Sequence, residues 1–340
     1  LTGNNEGHDF ERIRLQNSRF AHGVYVGCND ASCITKDSRF DTMWISGIEY
    51  QYGWGFNFAH GSQNNTLSNS IIYDGAYRGV YAGSTEFGDP NIIEGNAIWN
   101  MTDHAVWIQG ASLVRNNVIF NAGGNGIVAT DPERGTYDGM VISFNTVVGT
   151  EDYAAEIYGW TEFMSVVLAN NALCNTVGYG VYLDVEEAPD TAYDITYPGY
   201  IHNNVVCGYT YGLDRWEGHY IPGSGNADYT DIDGWDMYPT PESVLINAAD
   251  PSSDAWVPET DFNGATRPGD APDVGAYEWS GNNNPGWALR EDFKELGVTG
   301  DNITQQVEGG CCNSSGKTGQ AWMVLPLLGM GAWRRRRRTP

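Results

Sequence analysis

Short apolar runs, each closed by Gly, Asn or Asp, recur along most of the chain, and one phrase among them returns six times. The returns are Asn69-Ser-Ile-Ile, Asn96-Ala-Ile-Trp, Asn117-Val-Ile-Phe, Asn145-Thr-Val-Val, Asn171-Ala-Leu-Cys and Asn204-Val-Val-Cys. Successive Asn positions stand 27, 21, 28, 26 and 33 residues apart, too close for separate domains and right for one repeated supersecondary unit. After a Gly-rich break a second run follows: Gly79-Val-Tyr-Ala, Ala105-Val-Trp-Ile, Gly126-Ile-Val-Ala, Gly180-Val-Tyr-Leu and Gly212-Leu-Asp-Arg. Their shortness and their β-branched and aromatic content read as strand rather than helix. Two or three such strands per turn, with no helical periodicity between them, predict an all-β solenoid, a parallel β-helix of about eight coils. An Asn at one corner of each coil can bond local backbone and the Asn above and below, so the Asn column reads as structural.

The same pattern begins early. Residues 13–26 read as a coil with Asn17 in the Asn place, and residues 43–58 as the next, with Gly47 in that place and a dense aromatic set including Trp44, Trp54, Phe56 and Phe58. An open first coil is a bare sheet edge, so further coils or a cap are expected ahead of Leu1. Coils are expected over residues 1–222, with excursions at 130–138 and 184–200. Residues 223–279 read as a loop-rich, acidic terminal coil, closed near 273–278. There Arg267 is placed to pair with Asp273 or Glu278. Residues 280–310 read as a linker with one short helix over 287–296, and residues 311–340 as a tail: Cys311 and Cys312, an apolar run over 321–333 and five arginines at 334–338.

The repeat resembles the secreted right-handed parallel β-helix proteins of the pectate-lyase-like superfold. Right-handedness follows from that resemblance and from the general hand of parallel crossovers. The phrase Asp273-Val-Gly-Ala-Tyr-Glu resembles the closing segment of bacterial surface β-helix proteins of the choice-of-anchor Q type, with Val274 where they carry Ile. Cysteine, apolar run and arginine cluster, in this order, resemble a myxobacterial-type C-terminal sorting tail. That resemblance implies processing near Cys311 and Cys312 during export, a cell-surface location at the outer membrane, and membrane contact through the tail alone. A fold of this kind hosts lyases, hydrolases, epimerases and inert adhesins, so it does not name a substrate.

Charge narrows the partners. The chain holds 18 basic and 43 acidic side chains, and six of the basic ones lie in the last thirty residues. Nucleic acid is excluded, because phosphate binding needs a basic face. A polyanionic sugar would be repelled unless calcium bridged it, while a neutral glycan meets no such barrier. Calcium is therefore the one cofactor left open, a polysaccharide or cell-surface glycan the expected partner, and a monomer the expected state. Cys28 and Cys33 bracket a small loop that a disulfide would close. Cys174 and Cys207 occupy the same place in consecutive phrases, about 5 Å apart in a stacked coil, as a bridge or as a pair of buried thiols.

No nucleotide loop, zinc spacing or nucleophile elbow is present. What remains is a row produced by stacking the second strands: Tyr25, Tyr81, Trp107, Val128, Glu156, Tyr182 and Asp214. Aromatic faces in such a row suit sugar rings, and carboxylates near its end suit glycoside hydrolysis. The expected catalytic residues are Glu156, Asp184 and Asp214, with His104, Trp107, Tyr182 and Arg215 as substrate-binding helpers. A lyase would lean on Arg215 or Arg78 and on calcium, and ranks lower. The rival expectation is a non-catalytic surface or adhesion module that uses the same row, since carboxylates on an outer strand face are ordinarily just solvated.

Overall fold

The computed structural model describes residues 1–28, 33–83, 88–130, 139–160, 166–185, 199–212, 220–251 and 257–296. The chain winds as a right-handed parallel β-solenoid with three strands in each regular turn. Asn91–Glu94, Ala97–Met101 and Val106–Gln109 form one such turn and define its first, second and third faces. First-face strands stack into an eight-stranded parallel sheet running from Asp9–Glu11 to Gly199–His202, and turns are numbered along it, so Asn91–Glu94 opens turn 4. Turns 1 to 6 carry three separate strands each on these faces, and turns 1 to 3 add a short parallel sheet of Asn5–Glu6, Thr35–Lys36 and Ser62–Gln63 ahead of the first face. In turns 7 and 8 the second- and third-face strands fuse into Ala172–Val185 and Asn204–Tyr211. The regular turns therefore number about six, slightly fewer than the eight coils expected.

Parallel stacking in register places like on like. Ile45, Ile72, Ile98, Ile119, Val147 and Leu173 occupy the same second-face position on successive turns and fill the interior, all buried. A neighbouring corner carries the polar column. The Oδ1 atoms of Asn117, Asn145, Asn171 and Asn204 each accept the backbone N–H and the Nδ2–H of the Asn one turn earlier, at 2.9–3.0 Å. Every member is buried, and its remaining amide hydrogens go to backbone carbonyls such as Val114 O and Ile142 O. A corner that would strand polar backbone in the core is thus satisfied by its own side chains.

Three placements differ from the sequence reading. The column starts at Ser70, whose Oγ accepts from Met43 N and whose N–H donates to Asn96 Oδ1; Asn69 stands one place earlier, level with Gly95. Asn17 and Gly47 lie at a different corner, after the second-face strand, level with Asp74, Asn100 and Asn121 in a more exposed ladder. The segment expected to close the end of the solenoid instead runs back along its side, and residues 287–296 contain no helix.

That segment, residues 223–296, forms a strap over the outer surface of the second face. It begins beside the last turns, where Asn203 donates to Ala248 O and Asp250 N–H donates to Asn170 Oδ1. At mid-length Ala276 N–H donates to Thr146 Oγ1, and Arg267 donates to Asn116 Oδ1. It ends at the first turns, with Phe293 edge-on to Trp44 and Glu295 paired with Arg12. Under it, Trp99 stacks between Tyr73 and Phe120 at 4.7 and 5.5 Å, and with Phe262, Tyr277, Tyr238 and Trp287 these rings make a second buried core. Second-face strands are therefore apolar on both sides, the pattern of a sheet covered twice.

The strap buries a lysine. Lys294 Nζ donates to Gly95 O at 2.7 Å and sits 3.5 Å over the Phe262 ring; burial brings its ammonium down from the ordinary 10.5 to about 7, against the opposing pull of Asp261, Asp41 and Glu94. Between those two values the unfolded chain holds the extra proton, so stability rises with pH across this window. Lys294→Met, which keeps the apolar stem, is expected to raise the melting temperature at pH 7 and to flatten its rise toward pH 9. Differential scanning calorimetry at both pH values checks this; a parallel pH response in variant and wild type would refute it.

Candidate functional site

The described residues of the strap leave the third face uncovered, and its outward side chains fall into rows. The central row runs Tyr25, Asn57, Tyr81, Trp107, Val128, Glu156, Tyr182, Tyr211. Two departures from the sequence row stand out. Asn57 fills turn 2, and register shifts around Tyr179 and Val181 bring Tyr211 to the place assigned to Asp214. Asp214 and Arg215 themselves lie outside the described residues, as do Cys311 and Cys312. The adjacent row, at the corner before each strand, holds Trp54, Arg78, His104, Asn125 and Tyr153.

Charged and aromatic groups interlock on turns 3 and 4. Arg78 lays its guanidinium 3.6 Å over the Trp107 ring and 4.3 Å over Tyr77, while its Nε donates to Asp103 Oδ2 at 2.7 Å. His104 has both nitrogens engaged: Nδ1 accepts Asn125 N–H at 3.0 Å and Nε2 lies 3.2 Å from Asp103 Oδ1. Nε2 is therefore the protonated nitrogen, and burial lowers the imidazole below its usual range, so it stays neutral. It positions Asn125 rather than offering a free nitrogen to substrate. Trp107 Nε1 donates to Thr130 Oγ1, which fixes the ring.

Turn 6 supplies the acid. Glu156 is half-buried, and burial raises its carboxyl above the usual range; the Asn125 amide donates to Oε2 and partly opposes this, while Asp152 adds to it. Asn125 is held in turn by Tyr153 N–H, which donates to its Oδ1 at 2.7 Å. Sequence reasoning passed over Asn125. Its signal is a polar residue just before the small glycine of Gly126-Ile-Val-Ala, at a corner shared with Arg78 and His104. Around Glu156 stand Tyr153 and Tyr182, 5.3 Å apart, with Tyr182 stacked on Tyr211 at 4.7 Å. Asp184 is exposed on turn 7, paired in register with Tyr158, two residues beyond Glu156's own partner Tyr182. The structure thus groups His104, Trp107, Glu156 and Tyr182 on one face and sets Asp184 at its margin.

A pocket of about 350 Å³ lies elsewhere, at the seam between strap and flank, lined by Glu94, Arg115, Asn116 and Asp261 among others. Three of its charges are engaged internally: Arg115 pairs with Glu94 at 2.7 Å, and Asp261 accepts three backbone N–H groups. The exposed third face is the better candidate on chemistry. Among the described residues no cluster of three or more His, Cys, Asp or Glu is arranged to hold a metal ion.

Cys28 is bonded to Cys33 and Cys174 to Cys207, with Cα separations of 6.2 and 4.4 Å, the second bridge crossing adjacent turns in register.

The repeat, the three-faced winding and the buried corner column together define the protein as a right-handed parallel β-helix. Residues 1–173 match the right handed beta helix region family, and the chain belongs to it. No curated protein matches the chain. Among solved structures, the crystal structure of pectate lyase Pel9A is similar at 12% identity, covering 81% of this chain and 89% of that one, with a TM-score of 0.37.

Proposed function

We propose that the third face binds a polysaccharide and that Glu156 serves there as proton donor to a glycosidic oxygen. The supporting observation is a half-buried carboxyl with raised proton affinity, fixed by Asn125, beside Tyr182 on one side and two turns from Trp107 on the other. A carboxyl that keeps its proton at higher pH than an ordinary glutamate can deliver it to a leaving oxygen. Asp152, whose charge adds to the raised proton affinity of Glu156, is the carboxylate nearest in influence, and Asp184, with its Cα about 8 Å from that of Glu156 by strand geometry, is the second candidate for activating water. Because the folded carboxyl is raised, the proton-donating form is complete below its pKa and fades as pH rises through it. The activity limb is therefore expected to fall at higher pH than that of an unperturbed glutamate.

The exposure of Asp184 at the margin favours a second reading, a binding module without turnover. A screen of neutral and uronic glycans, with and without calcium, separates the two. Under the hydrolase reading Glu156→Gln lowers turnover at least about 100-fold and leaves binding near wild type. Binding with no turnover by the wild type moves the protein to the adhesion class, and turnover that survives Glu156→Gln clears this residue.

Export belongs to the same proposal. The order of cysteine, apolar run and arginine cluster, together with the resemblance of residues 273–278 to the choice-of-anchor Q closing segment, supports a surface protein processed near Cys311 and Cys312. Two disulfides suit an oxidising compartment. Mass spectrometry of the native protein is expected to show the residues after about position 310 removed or lipid-bound; an intact Arg334–Arg338 run in a cytosolic fraction would overturn export.

A further inference from the structure

Aromatic side chains are not spread evenly along the third face. On turns 2 to 4, Trp54 lies 5.8, 4.9 and 6.2 Å from Tyr77, Tyr81 and Trp107, with the Arg78 guanidinium among them. On turns 6 to 8, Tyr153, Tyr179, Tyr182, Tyr209 and Tyr211 form a second group with ring separations of 4.7–5.4 Å. Among the described residues turn 5 contributes to neither, and Tyr158 of turn 6 is hydrogen-bonded to Thr130 at its margin. The outward residues of turn 5, Asn125, Val128 and Thr130, are short and buried, and Glu156 stands at the edge of this break.

We propose that the two groups are separate sugar-binding platforms, and that one neutral glycan chain lies along the solenoid axis across both, with an internal linkage beside Glu156. This rests on the polysaccharide reading above and extends it to the direction, charge and minimum length of the ligand. The rings meet at angles from stacked, Tyr182 on Tyr211, to edge-on, Trp54 against Trp107, and their solvent-exposed parts offer apolar surface to pyranose rings, while hydroxyls and neighbouring amides supply hydrogen bonds. The ligand is neutral because the face has little free positive charge: Arg78 is engaged by Asp103 and the Trp107 ring, and the chain as a whole is strongly acidic.

Length follows from spacing. Trp107 on turn 4 and Tyr182 on turn 7 are separated by three strand intervals, about 14 Å. A short fragment reaches one platform only. A longer chain engages both, and its second contact is intramolecular, so affinity climbs steeply once the break is spanned.

Isothermal titration with neutral cello-, xylo- and manno-oligosaccharides, from disaccharide to octasaccharide, tests the arrangement. The expected result is an affinity that rises with length and then levels off. Trp107→Ala and Tyr182→Ala are each expected to weaken octasaccharide binding about tenfold, whereas the disaccharide responds to only one of them. Tyr211→Ala, at a position 51% exposed, repeats the second arm without touching the core. Length-independent affinity, or an octasaccharide indifferent to one platform, overturns the two-platform arrangement while leaving glycan binding intact. Absence of binding by the wild type at every length overturns both.

Discussion

Arg267→Leu is expected to cost about 3–5 kcal/mol of stability, the usual consequence of stripping one partner from a buried ion pair. The guanidinium is buried against the Glu278 carboxylate, donates to Asn116 Oδ1 and Gly275 O at 2.8 Å, and lies 4.4 Å over the Phe144 ring. One side chain therefore joins the strap to turns 5 and 6. Without it, Glu278 is left as an uncompensated charge in a site where burial already raises its carboxyl above the ordinary range. The sign of the pH effect follows: the orphaned carboxyl takes up a proton as pH falls, so the deficit of the variant shrinks at low pH. Denaturant melts at pH 7 and pH 5 read both effects, and limited proteolysis reports detachment of the strap. The double variant Arg267→Leu/Glu278→Leu, which removes both charges, is expected to recover much of the loss. Equal stability of the single variant and the wild type at pH 7 would show that the pair does not fasten the strap.

Asn145→Ala is expected to cost about 3 kcal/mol or more, through several buried groups at once. Asn145 Oδ1 accepts from Asn117 N–H and Nδ2–H, while its own Nδ2 donates to Val114 O, Ser143 O and Asn171 Oδ1. Removing the amide leaves donors and acceptors on three turns without partners and without access to water. Asn121→Gly is the matched control. Asn121 sits in the more exposed ladder at φ 52°, where glycine keeps the backbone at ease, and a surface change of this kind shifts stability by no more than about 0.5 kcal/mol. Comparable losses in the two variants would refute the distinction between a buried, space-limited column and an exposed one.

The fold was legible because a solenoid writes its period into the chain. Stacked positions share one environment, so Ile72, Ile98 and Ile119 repeat in the sequence as they do in the interior. Register was less legible where two signals competed. At turn 3 the asparagine of Asn69-Ser-Ile-Ile attracts the alignment, yet the aromatic column of Tyr73, Trp99 and Phe120 fixes the register one place later. At turn 8 the glycine of Gly212-Leu-Asp-Arg suggests a match with Gly180, but a local irregularity puts Tyr211 opposite Tyr182, and the expected row loses its last carboxylate.

The strap left a trace that the repeat reading did not use. Asparagine is doubled at 116–117, 170–171 and 203–204. The second of each pair enters the buried column. The first takes φ between 49° and 59° and turns its amide toward the strap. A second-face phrase apolar on both sides carried the same message, since a strand open to solvent alternates. The site was half legible: strand stacking predicts which side chains neighbour one another, while the desolvation that marks Glu156 depends on side chains far apart in sequence.

Repeat proteins ordinarily lose turns from their ends, because each unit touches only its neighbours and the free energy is a sum of local terms. The strap changes that arithmetic. Its last described residues reach Arg12, 283 positions away, while its beginning holds the final turns. Fraying at either end must break contacts that the other end helps to orient, so the stack is tied into one cooperative unit and is expected to melt in a single transition. It also makes the order of synthesis matter. The turns emerge first and must wait, with Tyr73, Trp99 and Phe120 uncovered, until the chain that shelters them has been made.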